Sequence, residues 1–331
     1  MAAHYAIVGA GAVGGVIAAH LLAAGEQVTL VVRSQRLAEY TALEQLRLAH
    51  SHGEAEGSWP RPAISDKVPA DATVVMLAVK HAALNTVLEA LNGRLPAGAT
   101  LLTCLNGIGV AEQVAERFPG HEVRHLTIMY NAAVIAPLHY RITTRPGVLL
   151  DGPRDGLFAA LSQTGLEVAP GNRALTHGKL LINLNNALCA LTRRSFRDML
   201  IERDMRAMFI ALVEEATAAM DAAEMPWQLP MPLPFNLYRL LVLYGGPLPW
   251  WIARRVNGLT GQAYPSMVAD LDAGRPTEIN ELNGVISRLG AQAGVPVPLN
   301  DEIVKLVKAL EQGKGDYFTP AELRRHLLSE S

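Results

Sequence analysis

Lys179, Asn183 and Asn186 stand at i, i+4 and i+7 within the apolar stretch Thr176–Leu191. On a helix that spacing puts them on one stripe. The stretch has few breakers after Gly178, so it is expected to form one buried helix. A lysine and two amides inside such a helix are costly to bury unless something pairs with them. Other side chains or a ligand could do so, and spacing leaves both readings open. A second set lies downstream, with Ser266, Asp270 and Glu278 in the run from Tyr264 to Gly284. Gly274 is expected to end one helix and Pro276 to sit in the first turn of the next. Glu278 would then lie in that first turn, where a carboxylate is stabilised by the helix dipole. A structural and a functional role are equally open for it.

The third set is at the N-terminus. The short apolar strand His4–Val8 leads directly into Gly9-Ala-Gly11-Ala-Val-Gly14, and Val16 to Ala24 is helical in character. In that context the glycines point to a dinucleotide site. Gly9 permits the tight turn, Gly11 lets a pyrophosphate approach the backbone, and Gly14 lets helix and strand pack closely. The helix N-terminus offers N–H groups and a positive dipole end. At the end of the next strand, Gln27–Val32, an NAD site would place an acid. Here Arg33-Ser34-Gln35-Arg36 follows, and no carboxylate comes until Glu39. Arginine grips a 2′-phosphate bidentately, so NADP(H) is the expected cofactor. The apolar runs Thr73–Val79 and Thr100–Leu105 read as parallel strands buried on both faces. They end at Lys80 and at Asn106-Gly107, on the carboxyl rim where ligands of open α/β sheets bind.

These residues need a scaffold, and the rest of the chain describes one. With 331 residues there is room for two domains. Before Pro170-Gly171-Asn172 strands and helices alternate; after it strand signals almost vanish. The expected domains are 1–170 and 171–331. Further strands are expected at Glu122–Val134 and Leu166–Val168, with a hairpin of His139–Thr143 and Gly147–Leu150. Helices are expected at His81–Leu91 and Asp204–Glu224. A net charge of −2 without a basic block argues against nucleic-acid binding. Cys104 and Cys189, both in apolar surroundings, fit a reducing cytoplasm, and no signal peptide is read. His50 and His52, taken as loop residues, and His121 and His125 lack metal-ligand spacing, so no metal is expected. Between Pro226 and Arg255 the chain is apolar and proline-rich. A helix–turn–helix buried between subunits or domains, a lid over a substrate, and a membrane-surface contact all fit it. No run reaches the ~20 residues of a membrane span. The same segment suits a homodimer.

The order Gly9–Gly14, Arg33, Lys80, Asn106-Gly107, Lys179, Asn183, Ser266-Met, Asp270, Arg275-Pro-Thr-Glu278-Ile and Asn283-Gly resembles the ketopantoate reductase (2-dehydropantoate 2-reductase) family over nearly the whole chain. The resemblance implies an α/β Rossmann domain followed by an all-helical domain like the C-terminal one of 6-phosphogluconate dehydrogenase, with the active site in a cleft between them. It implies NADPH as hydride donor to a small 2-oxo acid, most directly 2-dehydropantoate in pantothenate biosynthesis. Lys179 would polarise the ketone and supply the proton, and Glu278 would hold that lysine and a substrate hydroxyl. Asn183, Asn186 and Ser266 would bind the substrate, and Lys80 and Asn106 the nicotinamide end or the bound acid. Two features depart from the family pattern. Its second asparagine usually comes eight residues after the lysine, before Pro-Leu-Thr, whereas Asn186-Ala-Leu-Cys comes at seven. Pro226–Gln262 is longer and more apolar than usual, and Ala263 stands where a polar substrate contact is often found. A bulkier, more hydrophobic oxo acid, favoured by Trp250 and Trp251, and a non-catalytic NADP(H) sensor are the alternatives. The sensor would not need to keep Lys179 and Glu278.

Overall fold

In chain order the strands are β1 (His4–Val8), β2 (Gln27–Val31), β3 (Gln45–His50), β4 (Gly57–Pro60), β5 (Ala63–Ser65), β6 (Val74–Leu77), β7 (Thr100–Thr103), β8 (Val123–Ile128), β9 (Ala132–Ala136), β10 (His139–Ile142), β11 (Gly147–Asp151) and β12 (Glu167–Gly171). All lie in the first of two compact units, Met1–Asn172 and Arg173–Ser331. The computed structural model describes residues 3–50, 56–261 and 263–328.

The large sheet has the order β12-β11-β8-β7-β6-β1-β2-β5, and all its pairs are parallel except β8 with β11. β1 and β6 are buried at every position, as expected of apolar runs in the middle of a parallel sheet. From β1 the chain moves one way to β2 and β5, then crosses to the other side for β6, β7 and β8. The carboxyl ends of β1 and β6 therefore flank the point where strand order reverses, the position of ligand sites in open α/β sheets. One face is covered by the helix Ala12–Ala23 and a second sheet, β4-β3-β10-β9, around Ile7, Ile17, Leu21 and Tyr140. The other face is covered by helices His81–Leu91 and Val110–Arg117 through Leu84, Leu88 and Val114.

Several expectations need correction here. Glu122–Val134 is not one strand, because β8 and β9 belong to different sheets. Nor do the segments around His139 and Gly147 pair with each other. Instead β9 pairs with β10, and β8 with β11, both antiparallel. The chain from Val123 to Asp151 is thus one long hairpin split between two sheets. Its ladder breaks where the Asn131 amide donates to the Thr144 hydroxyl (2.8 Å) and where Pro146 has no N–H to give. The last strand runs on to Gly171, opposite Asp151, so position 170 lies inside a strand; an edge strand tolerates Pro170. His50 ends β3 and is not a loop residue, while His52 lies outside the described residues.

The second unit is helical throughout its described secondary structure. Its hub is the 20-residue helix Arg203–Ala222, which buries Met205, Phe209, Leu212, Ala216 and Met220. Helices Arg173–Asn183, Asn185–Thr192, Asn283–Ala293, Pro298–Glu311 and Pro320–Leu328 pack on it. No helix among the described residues is long and apolar enough to cross a membrane. The proline-rich segment forms helices Phe235–Tyr244 and Leu248–Asn257. Trp250 is buried, but Leu237, Leu240, Tyr244, Leu248, Trp251 and Val256 are exposed within this chain.

Candidate active site

The three glycines of the first turn do different work. Gly9 has φ +110°, and a Cβ there would lie 2.5 Å from the Ala78 carbonyl oxygen. A Cβ on Gly14 would lie 2.1 Å from the Gly9 carbonyl oxygen. Both glycines are demanded by the fold, since neither backbone can give way. Gly11 is not. Its backbone is extended, and nothing lies within 4 Å of where its Cβ would be. It caps the helix Ala12–Ala23, whose first N–H groups have no partner inside the helix, and that first turn carries no acid. Open space beside a glycine and a helix N-terminus suits a pyrophosphate, so the turn fits a dinucleotide.

Two tyrosines hold this turn. The Tyr140 hydroxyl donates to the Ala10 carbonyl (3.2 Å), and its ring fills the place of a Gly15 side chain. The Tyr130 hydroxyl donates to the Val13 carbonyl (3.1 Å). Burial keeps both hydroxyls protonated, well above the ordinary tyrosine range. Each lies 117 or more residues from its partner, so nothing local in the sequence marks them.

Around the rim, Arg33 is exposed two residues past the end of β2. Arg36 is engaged elsewhere. Its Nε and Nη2 donate to the two Glu39 carboxylate oxygens (2.7 and 2.9 Å), and it lies over the Tyr40 ring. Both arginines reach the surface, and of the two it is Arg36 whose guanidinium is engaged by a carboxylate. Lys80 caps the helix His81–Leu91, and Asn106 lies in the turn after β7. His81 Nε2 donates to the Asn106 carbonyl oxygen at 2.5 Å, which ties the two turns together. No spacing pattern singles out His81.

In the helical unit, Lys179 sits on Arg173–Asn183. Burial lowers its pKa from 10.5 to about 8. The backbone after Pro226 straps this helix. The Gln228 amide donates to the Ala174 carbonyl (2.9 Å), and His177 Nδ1 donates to the Pro226 carbonyl (2.6 Å). A Cβ on Gly178 would lie 1.8 Å from the Gln228 carbonyl oxygen, so the residue before Lys179 is a glycine because a backbone crosses it there.

The expected single helix is in fact two. Arg173–Asn183 ends, Leu184 forms a tightened turn with ψ −22°, and Asn185–Thr192 begins. Asparagine side chains compete with backbone hydrogen bonds in a helix, and Asn183, Asn185 and Asn186 crowd this point. All three are buried, and Asn185 Oδ1 has no hydrogen-bond partner among the described residues. Asn186 is thus carried by a second helix, which follows that of Lys179 across the single residue Leu184.

Ser266 is the exposed first residue of the helix Ser266–Asp272, which packs on Asn185–Thr192. The elements bearing Ser266 and Asn186 are therefore neighbours. The approach to Ser266 is pinned where the Phe196 amide donates to the buried Ala263 carbonyl (3.0 Å). Glu278 is half-buried, but not in a helix: residues 275–282 are extended and turn-like, and the helix starts at Asn283. Thr277 is the reason. Its N–H and hydroxyl both donate to Glu311 Oε1 (2.6 Å each), and its hydroxyl accepts from the Ile279 amide. Those bonds set an anchored turn before the helix. Asp270 is buried against Arg275 (3.1 Å), and Asn283 is fully buried against Asn300, which bonds Glu215. These two markers hold the fold.

Each unit corresponds to a known family domain. The family model "Ketopantoate reductase PanE/ApbA" matches residues 5–156, and its C-terminal companion matches residues 173–311. The 2-dehydropantoate 2-reductase of Aquifex aeolicus is 25% identical over 94% of this chain and 98% of its own length. That of Vibrio cholerae is 25% identical over 92% and 97%. Among solved structures, a PanE/ApbA family ketopantoate reductase from Ralstonia eutropha aligns with TM-score 0.76 at 24% identity, over 94% of this chain and 99% of that one. A D-mandelate dehydrogenase with NADH and anilino(oxo)acetate gives the same values. At that identity these two structures bear on the fold.

Proposed function

Because this chain belongs to the ketopantoate reductase family and is a 2-oxo acid reductase, we propose that it uses NADPH to reduce 2-dehydropantoate to pantoate, with Lys179 as proton donor. Gly9, Gly11 and Gly14 would hold the cofactor's pyrophosphate, Arg33 its 2′-phosphate, and Lys80 and Asn106 its nicotinamide end or the bound acid. Once bound, the cofactor supplies the hydride that the ketone carbon accepts. Lys179, charged near neutral pH, hydrogen-bonds the ketone oxygen and gives up its proton as the alkoxide forms. A cation placed where negative charge develops stabilises the transition state more than the ground state. Glu278 holds the ammonium and a substrate hydroxyl, and Asn183, Asn186 and Ser266 bind the remaining polar groups.

The observation that carries this reading is the placement of Lys179 on a helix pinned by the backbone that crosses it at Gly178. Burial lowers the lysine's pKa to about 8, near the working range of a general acid at neutral pH. A bulkier hydrophobic 2-oxo acid is the second reading. It is favoured by the buried, apolar Ala263 shortly before Ser266. NADPH oxidation by purified protein, followed with 2-dehydropantoate beside aliphatic and aromatic 2-oxo acids, tests both. Preference for 2-dehydropantoate supports the first reading and preference for an aromatic acid the second. No oxidation with any of them would remove both.

A further inference from the structure

The acid that β2 lacks is delivered by another strand. β5 runs parallel to β2 at the edge of the large sheet, with Val31 opposite Ser65. The Val32 amide donates to the Ser65 carbonyl (2.8 Å), which extends the pairing past the strand ends. Two parallel strands in register release their next residues at the same end of the sheet. From β2 these include Arg33 and Ser34, and from β5 Asp66 and Lys67. The Ser34 hydroxyl closes the gap by donating to Asp66 Oδ2 at 3.0 Å. A carboxylate thus stands one hydrogen bond from the residue after Arg33, at the corner where dinucleotide sites place the acid that holds the ribose 2′-hydroxyl.

The charges at this corner are few. Arg36 and Glu39 neutralise each other. Arg33 and Lys67 are exposed cations, and Asp66 is an exposed anion. A 2′-phosphate arriving beside Arg33 gains a cation but meets the Asp66 carboxylate, and the hydroxyl of Ser34 is already donated to that carboxylate. A 2′-hydroxyl meets an acceptor it can donate to. We infer that Asp66, held by Ser34, governs the choice of nicotinamide cofactor. It accepts from the ribose 2′-hydroxyl and opposes the 2′-phosphate, so the chain binds NADH as well as NADPH. The inference rests on the dinucleotide reading of the glycine turn and refines the cofactor assignment above.

The test is a binding titration read by the intrinsic fluorescence of NADH and of NADPH, at fixed salt, with wild type, Asp66→Asn and Arg33→Ala. Wild type is expected to bind the two dinucleotides with dissociation constants within about tenfold of each other, as the Asp66 carboxylate set against the exposed Arg33 and Lys67 in high dielectric would leave them. Asp66→Asn is expected to move the ratio toward NADPH by about tenfold, and Arg33→Ala to move it toward NADH. Both residues are exposed, so neither substitution threatens the fold, and unchanged melting temperatures verify this. A ratio unmoved by Asp66→Asn overturns the inference while leaving the glycine turn as the dinucleotide site. A wild-type preference for NADPH of more than about a hundredfold, beyond what one such charge leaves, overturns it as well. Failure of every variant to bind either dinucleotide overturns the reading of the turn, and this inference with it.

Discussion

Replacing Lys179 with methionine is expected to abolish reduction and to stabilise the protein at the same time. Methionine is flexible, fills much of the space of the lysine stem and carries no charge to desolvate. The fall of the Lys179 pKa from 10.5 to about 8 disfavours the charged form in the folded chain; because the residue is part-buried, the cost is on the order of 1–3 kcal/mol at about 1.4 kcal/mol per pKa unit, less screening by solvent. The direction follows from proton counts. Between pH 8 and 10.5 the unfolded lysine holds a proton that the folded one has lost, so this group makes stability rise with pH across that window. Below pH 8 both states are protonated and the full cost is present. Lys179→Met should therefore be more stable than wild type by up to roughly 3 kcal/mol at about pH 7, and the difference should shrink to nothing by about pH 10.5. Taking the difference between the two proteins cancels the buried tyrosines, whose raised pKa values lower stability at high pH in both. Urea unfolding read by tryptophan fluorescence suits the question, because Trp227, Trp250 and Trp251 all lie in the unit that holds Lys179 and Trp59 alone lies outside it. Wild-type turnover should fall above a pH of about 8. A Lys179→Met protein no more stable than wild type, or a stability difference that stays flat across that window, would refute the argument that burial tunes this lysine.

The glycines separate fold from function. Gly11→Ala should keep the melting temperature and lose dinucleotide binding, because its Cβ meets nothing in the folded chain; retained cofactor affinity would show that no phosphate approaches there. Gly14→Ala should lower the melting temperature, because its Cβ would strike the Gly9 carbonyl. Gly178→Ala should cost about 2 kcal/mol or more, as overpacking against a fixed backbone does, and should slow turnover by displacing Lys179; a thermal melt paired with initial rates shows whether both move. Tyr140→Phe leaves the Ala10 carbonyl without this partner and should cost about 1 kcal/mol. It should also weaken cofactor binding several-fold, which calorimetry can read beside the melt.

Local patterns carried much of this protein. Uninterrupted apolar runs announced β1, β6 and β7, because a strand buried on both faces needs no alternation. Gly9, Gly11 and Gly14 marked the turn, because a tight turn and close approach to a backbone leave a requirement for glycine that is visible in the residues themselves. Lys179, Ser266 and Glu278 stand out as candidates by residue type and order along the chain. All of these are short-range signals or ordered markers, and they survive being read one residue at a time.

What escaped such a reading depends on residues far apart in sequence. The Val123–Asp151 hairpin divides between two sheets at Thr144 and Pro146, and no periodicity reports which sheet a strand will join. Thr277 bonds Glu311, so Glu278 sits in a turn where helix signals looked sound. The helix of Lys179 stops at Asn183 because adjacent amides, once buried, disturb the backbone ladder. The backbone crossing at Gly178, the tyrosines on the glycine turn and the carboxylate of Asp66 beside Ser34 all arise from packing between separate elements. A hydrogen bond or a close backbone approach is a property of two places in space, and one-dimensional spacing encodes only one of them.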